Sequence, residues 1–227
     1  MTIKEVVVAL TDLLGPLLEP AITLGGVSTS WAELLGFATG ALTVWLVVRQ
    51  HVWNWPIGVA NVVLLGLVFL AVGLYADAAL QIVYVLLGLY GWWQWLYGGA
   101  GRTTLAVTRT GRAEWGWLVL AGAAVTALLT AALATWTNSA VPFWDALTTA
   151  LSLMATYGQC RKRVESWWLW ITVDLVYIPL YAYKDLYLTS VLYVLFLALC
   201  VAGLLAWRRD SAARPAPAPD GDAAVTR

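Results

Sequence analysis

Charge is scarce in this 227-residue chain: Asp, Glu, Lys and Arg make up 11% of it, and 13 basic residues cancel 13 acidic ones. That balance leaves no basic surface for nucleic acid. Histidine occurs once, at His51, and cysteine twice, at Cys160 and Cys200. So few ligands build neither a disulfide framework nor a metal cluster; both thiols read as small buried residues, and no metal or cofactor is expected. HExxH and paired catalytic aspartates are missing, which argues against an intramembrane enzyme. The glycine-rich run at residues 98–104, GGAGRTT, lacks the Gly-Lys-Ser/Thr ending of a phosphate loop. Lys and Arg are also missing from inside every long apolar run, so a phosphorylated or carboxylated substrate would find no charge partner there.

Apolar residues are abundant. They form 61% of the chain, and the mean hydropathy is +0.76, more than one soluble core could bury. The composition is that of a polytopic membrane protein. In residues 1–30, Asp12, Pro16, Glu19 and Pro20 interrupt the apolar run. A short surface helix is expected there rather than a span, and it is expected to be retained, since Lys4-Glu5 is not the basic start of a signal peptide. Seven spans come next, near Trp31–Val48, Trp55–Leu74, Tyr75–Tyr97, Trp115–Trp136, Phe143–Cys160, Val164–Tyr183 and Leu186–Trp207. Lys184 and Asp185 read as a tight link, and Pro179 as a kink in the sixth span.

The expected fold is an all-α membrane protein with a parallel 3+1+3 repeat. Its parts are a surface segment (1–30), a three-helix unit (31–97), a cytoplasmic loop (98–114), a linker helix (115–136), a second three-helix unit (137–207) and a disordered cytoplasmic tail (208–227). The repeat shows when the units are laid over each other. An offset of 113 pairs Trp31 with Trp144, Thr39 with Ser152, Thr43 with Thr156, Trp55 with Trp168 and Asn61 with Asp174; an offset of 112 then pairs Gln81 with Tyr193 and Trp95 with Trp207. With seven spans, every basic residue except Lys4 and Lys184 falls on one side. The positive-inside rule puts the amino terminus outside and the carboxyl terminus in the cytosol of a multi-pass cell-membrane protein.

Polar residues inside the spans point to a site. Trp167, Trp170, Asp174, Tyr177 and Tyr181 share one helical face by their spacing of three and four, as do Asp77, Gln81, Tyr84 and Gly88. A carboxylate at mid-span costs about 2.5 kcal/mol or more in lipid, so Asp174 should face protein or water. Transporters of repeat architecture place substrate between their repeats. The candidates are Thr39, Thr43, Asn61 and Gln81 from the first unit, and Thr149, Ser152, Trp167, Trp170, Asp174, Tyr177 and Tyr193 from the second. For the Ser and Thr residues the competing reading is a hydroxyl bonded to its own helix. For Trp53, Trp55, Trp92, Trp95 and Trp207 it is an interfacial belt. Indole and phenol faces beside one carboxylate suit a flat ring, particularly a cationic one, and Asn and Gln suit sugar hydroxyls.

Asn54-Trp55-Pro56-Ile57-Gly58-Val59-Ala60-Asn61, Leu74-Tyr75-Ala76-Asp77, Gly91-Trp92-Trp93-Gln94-Trp95 and Trp167-Trp168-Leu169-Trp170-Ile171-Thr172-Val173-Asp174 together resemble the PnuC vitamin transporters. The resemblance covers about Trp31 to Trp207. It implies a fold like that of the SWEET sugar transporters, a homotrimer, and facilitated diffusion of nicotinamide riboside, an NAD precursor, trapped inside by phosphorylation. Riboflavin or thiamine uniport by the same machine is the nearest alternative. A sensory receptor with the same pocket would bind ligand yet move none.

Overall fold

The computed structural model describes residues 3–24, 27–137, 140–183 and 186–213. Lys184, Asp185 and the tail beyond residue 213 lie outside them. Among the described residues are eight α-helices: α1 (Ile3–Leu18), α2 (Trp31–Val48), α3 (Asn54–Ala71), α4 (Tyr75–Tyr97), α5 (Arg112–Trp136), α6 (Pro142–Cys160), α7 (Ser166–Tyr183) and α8 (Tyr187–Ala213). By length and composition, α2, α3, α5 and α8 can cross a membrane. α4, α6 and α7, with 23, 19 and 18 residues, have the same reach, but their Asp, Gln, Thr, Trp and Tyr residues lower their hydropathy.

The surface helix expected in residues 1–30 is α1, which packs on α2 and α3. Between α1 and α2 lies an element that the sequence pattern did not reveal, an antiparallel hairpin of β1 (Pro20–Leu24) and β2 (Val27–Ser30). The Thr23 and Ser28 hydroxyls meet across it at 3.0 Å. The hairpin delivers Ser30 as the cap of α2: the Glu33 N–H donates to Ser30 Oγ (3.2 Å) and the Ser30 N–H to Glu33 Oε2 (2.7 Å). Glu33 is thus half of a capping box. At the other end, α8 runs to Ala213, beyond the Trp207 expected from sequence. α7 starts at Ser166 because residues 163 and 164 are engaged elsewhere: Thr108 and Arg163 form a parallel bridge. Pro179 lies within α7, which continues to Tyr183.

The helices pack in two sets. α2, α3 and α4 are neighbours in order, as are α6, α7 and α8, and the sets join through α2 against α8 and α4 against α6. α5 leans on α6 and is otherwise exposed. The same contacts recur 112 residues apart. Trp55 packs edge-on against Trp95 with centroids 5.4 Å apart, and Trp167 against Trp207 at 5.3 Å. Gly91 leaves room for the Trp55 ring and Gly203 for that of Trp167; a methyl group at either glycine would enter the indole. Trp95 Nε1 donates to Gln159 O (2.9 Å), and Trp207 Nε1 to Val47 O (3.1 Å), so each set reaches into the other in the same way.

These pairs correct the repeat register. Trp55 corresponds to Trp167, not Trp168, and the limits of α3 and α7 (Asn54 and Ser166, Ala71 and Tyr183) keep the same 112-residue offset, which pairs Asn61 with Val173 and Asp174 with Val62. They also move three tryptophans out of the expected interfacial belt: Trp55, Trp95 and Trp207 are buried in the core, whereas Trp53 and Trp168 are exposed.

Candidate substrate cavity

A cavity of about 510 Å³ lies between the two sets, lined by α2, α3, α4, α6, α7 and α8. A second hollow, of about 720 Å³ between α5 and α6, is lined almost wholly by Ala, Leu, Val, Phe and Met; its Thr126 hydroxyl donates to Gly122 O at 2.8 Å and its Thr130 hydroxyl has no partner among the described residues. With few groups to orient a polar solute, that groove suits lipid, and the central cavity is the candidate site.

The structure brings Thr43, Asn61, Gln81, Thr149, Ser152, Trp170, Asp174, Tyr177 and Tyr193 to the cavity. Two of the residues expected there lie off it. Trp167 is fully buried behind the wall, wedged between Trp207 and Gly203. Thr39 also stands aside and donates its hydroxyl to Leu35 O at 2.6 Å. Even on the wall, Thr43 donates to Thr39 O and Thr149 to Asp145 O, each at 2.8 Å. Their protons are spent on their own helices, and only oxygen lone pairs remain to face a solute.

Among the described residues, four buried polar atoms of the cavity lining have no hydrogen-bond partner in the protein: Asn61 Oδ1, Asp174 Oδ2, Trp170 Nε1 and Trp55 Nε1. Leaving one such group unpaired costs about 1–3 kcal/mol, so a molecule offering matching donors and acceptors gains that energy on entry. Asp174 is only 2% exposed. Tyr177, Tyr181, Tyr193 and Phe196 form a ring cluster next to it, with Tyr181 and Tyr193 stacked at 5.2 Å. At the 112-residue offset, the second set places Trp170, Asp174 and Tyr177 where the first has Gly58, Val62 and Leu65, all of them lining residues. The cavity is therefore lopsided, with one aromatic and acidic wall facing a smoother one that carries Asn61 and Gln81.

Sequence reasoning missed Trp55, Phe196 and Cys200 as lining residues. Tyr84 could have been found, because it continues the Asp77–Gln81 stripe. Cys200 gave no signal beyond an apolar context.

The sequence model of the family described as nicotinamide mononucleotide transporter matches residues 30–209, the whole of α2 to α7 and most of α8. The chain belongs to this family, the PnuC vitamin transporters. PnuC members similar to it include the nicotinamide riboside transporter of Escherichia coli K12, 26% identical over 81% of this chain and 87% of that protein. The riboflavin/roseoflavin transporter RibM of Streptomyces davaonensis is 31% identical over 80% of this chain and 88% of that one. A crystal structure of the vitamin B3 transporter PnuC superposes with a TM-score of 0.62 at 23% identity, covering 92% of this chain and 91% of that one. This PnuC family member is accordingly a multi-pass membrane transporter built on that fold.

Proposed function

We propose that this chain is a uniporter that carries nicotinamide riboside across the cell membrane by facilitated diffusion. The observation that carries the reading is Asp174, a carboxylate with one unpartnered oxygen, buried in the cavity beside Trp170 and the tyrosine cluster. A pyridinium ring can lie against those aromatic faces while its charge meets the carboxylate, and Asn61 and Gln81 across the cavity suit ribose hydroxyls. The test is saturable uptake of labelled nicotinamide riboside into proteoliposomes. Binding in detergent without uptake would instead make the protein a receptor.

Riboflavin is the second reading, favoured by the 31% identity to RibM. Its isoalloxazine stacks on the same rings but brings no positive charge. Competition of each unlabelled vitamin, thiamine included, against labelled nicotinamide riboside separates the cargoes.

In this reading α2–α4 and α6–α8 are the repeats, α5 is the linker, and seven spans cross the bilayer in a 3+1+3, SWEET-like order. The recurring tryptophan contacts support that arrangement. The arginine-rich ends of α2, α4, α6 and α8 face the cytosol by charge bias; trypsin should cut the 98–111 loop in inverted vesicles and spare it in right-side-out ones. The homotrimer follows from the family resemblance, and native mass spectrometry tests it.

A further inference from the structure

At the arginine-rich end, the cavity stops against Val47, Trp55 and Gln159. From Trp55 four indoles run in an unbroken chain across the seam between the two helix sets: Trp55 to Trp95 at 5.4 Å, Trp95 to Trp207 at 6.0 Å and Trp207 to Trp167 at 5.3 Å. None of the four is more than 6% exposed. The layer is held shut by the reciprocal bonds of Trp95 to Gln159 O and Trp207 to Val47 O.

Immediately beyond it, two residues at equivalent positions meet. Gln50 and Lys162 each come just after the last turn of their helix in the left-handed region, with φ of 53° and 48°. Lys162 Nζ donates to Gln50 Oε1 at 3.2 Å and sits 4.4 Å from the centroid of the Trp95 ring. Gln50 Nε2 in turn donates to Asp210 at 3.3 Å. The repeat departs from itself here for a physical reason: two lysines would repel across the seam, whereas an amide and an ammonium are complementary, and the ammonium also gains the indole face.

We propose that Gln50 and Lys162 are the latch of a barrier, with the four-indole layer as its plug, that closes the transport path at the arginine-rich end. A vitamin leaving the cavity in this direction has to part the indoles, and they cannot separate while Lys162 bridges Gln50 of one set and the ring of Trp95. The inference rests on the transporter reading but not on which vitamin is carried.

The fold supplies its own reporter. Cys160 lies two residues before Lys162, is fully buried, and donates its thiol to Leu87 O at 3.2 Å across the same seam. The experiment measures alkylation of Cys160 by N-ethylmaleimide in the full chain in proteoliposomes, read by peptide mass spectrometry, which needs no substrate. Gln50→Lys and Lys162→Met should each raise the Cys160 rate about tenfold, equivalent to about 1.4 kcal/mol of opening free energy, and each should lower saturable vitamin uptake several-fold. An unchanged Cys160 rate in both variants, with cooperative melting retained, overturns the latch. If either variant fails to melt cooperatively, Trp95→Phe decides: it keeps a six-membered ring but removes the N–H to Gln159 O and part of the ring surface packed on Trp55 and Trp207. A faster Cys160 rate there supports the barrier, and an unchanged rate overturns it.

Discussion

Replacing Asp174 by Asn removes a charge and little volume, so its effect on transport isolates electrostatic recognition. At a separation of about 5 Å and an effective dielectric of about 20, a carboxylate and a pyridinium attract by about 3 kcal/mol. With each 1.4 kcal/mol worth a factor of about ten, the ceiling is about 100-fold in affinity. Water sharing the cavity with the ligand weakens the attraction, which sets the expected loss for nicotinamide riboside at about 10- to 100-fold. Riboflavin, uncharged, should change less than about threefold, because the substituted amide still offers an oxygen to its donors. Asp77→Asn is the control. That carboxylate also lines the cavity but is exposed at the start of α4, where a charge pair is worth about 1 kcal/mol or less. Binding is read by calorimetry in detergent and KM by uptake into proteoliposomes. Equal losses for the two vitamins, or an Asp77→Asn effect matching that of Asp174→Asn, would refute the charge-based account.

Gly91→Ala and Gly203→Ala should each cost about 1–3 kcal/mol by forcing a methyl group into an indole, seen as a melting temperature several degrees lower. Gly116→Ala in α5, where the added carbon meets nothing, should leave melting unchanged or raise it. Trp170→Phe keeps a ring but deletes the unpartnered Nε1, so binding should weaken about two- to fivefold, the scale of one modest hydrogen bond, and Trp170→Ala should weaken it further. Glu165 accepts from the Thr110 N–H (2.8 Å) and hydroxyl (2.9 Å), and Arg163 pairs with Glu114 at 2.7 Å while bonding Thr108. Glu165→Ala should free the 103–111 strap and speed tryptic cleavage at Arg102 and Arg109, with uptake falling less than cleavage rises.

The helices were legible because each carries a long apolar run, and the cavity because carboxylate and amide side chains inside such runs need an aqueous or protein surface. Asp174, Asn61 and Gln81 reach it on that argument alone. The misreadings share a cause. Trp167 lies on the same helical face as Trp170, but spacing cannot say which turn of a face meets the cavity and which meets a neighbouring helix; Gly203, 36 residues on, settled that. Trp55, Trp95 and Trp207 stand near helix ends, where an interfacial belt is the ordinary expectation, and only the indole-to-carbonyl bonds and ring contacts reveal an interior role. The shift from 113 to 112 was hidden by adjacent tryptophans at 167 and 168, either of which can be matched to Trp55. The β-hairpin escaped notice because four- and five-residue strands leave little periodicity to detect.

The two tryptophan bonds across the seam have the property of an isologous dimer interface: what one member gives, it receives back from the other. A free three-helix fragment bearing both the indole and the accepting carbonyl would satisfy a second copy of itself at that surface. The tethered form gains a liberty that a pair of identical copies lacks, since a substitution need appear on one side only. Gly58 at the position equivalent to Trp170, and Gln50 at that of Lys162, show that liberty in use: within one polypeptide the two sets differ where they face each other, and the interior they enclose is handed.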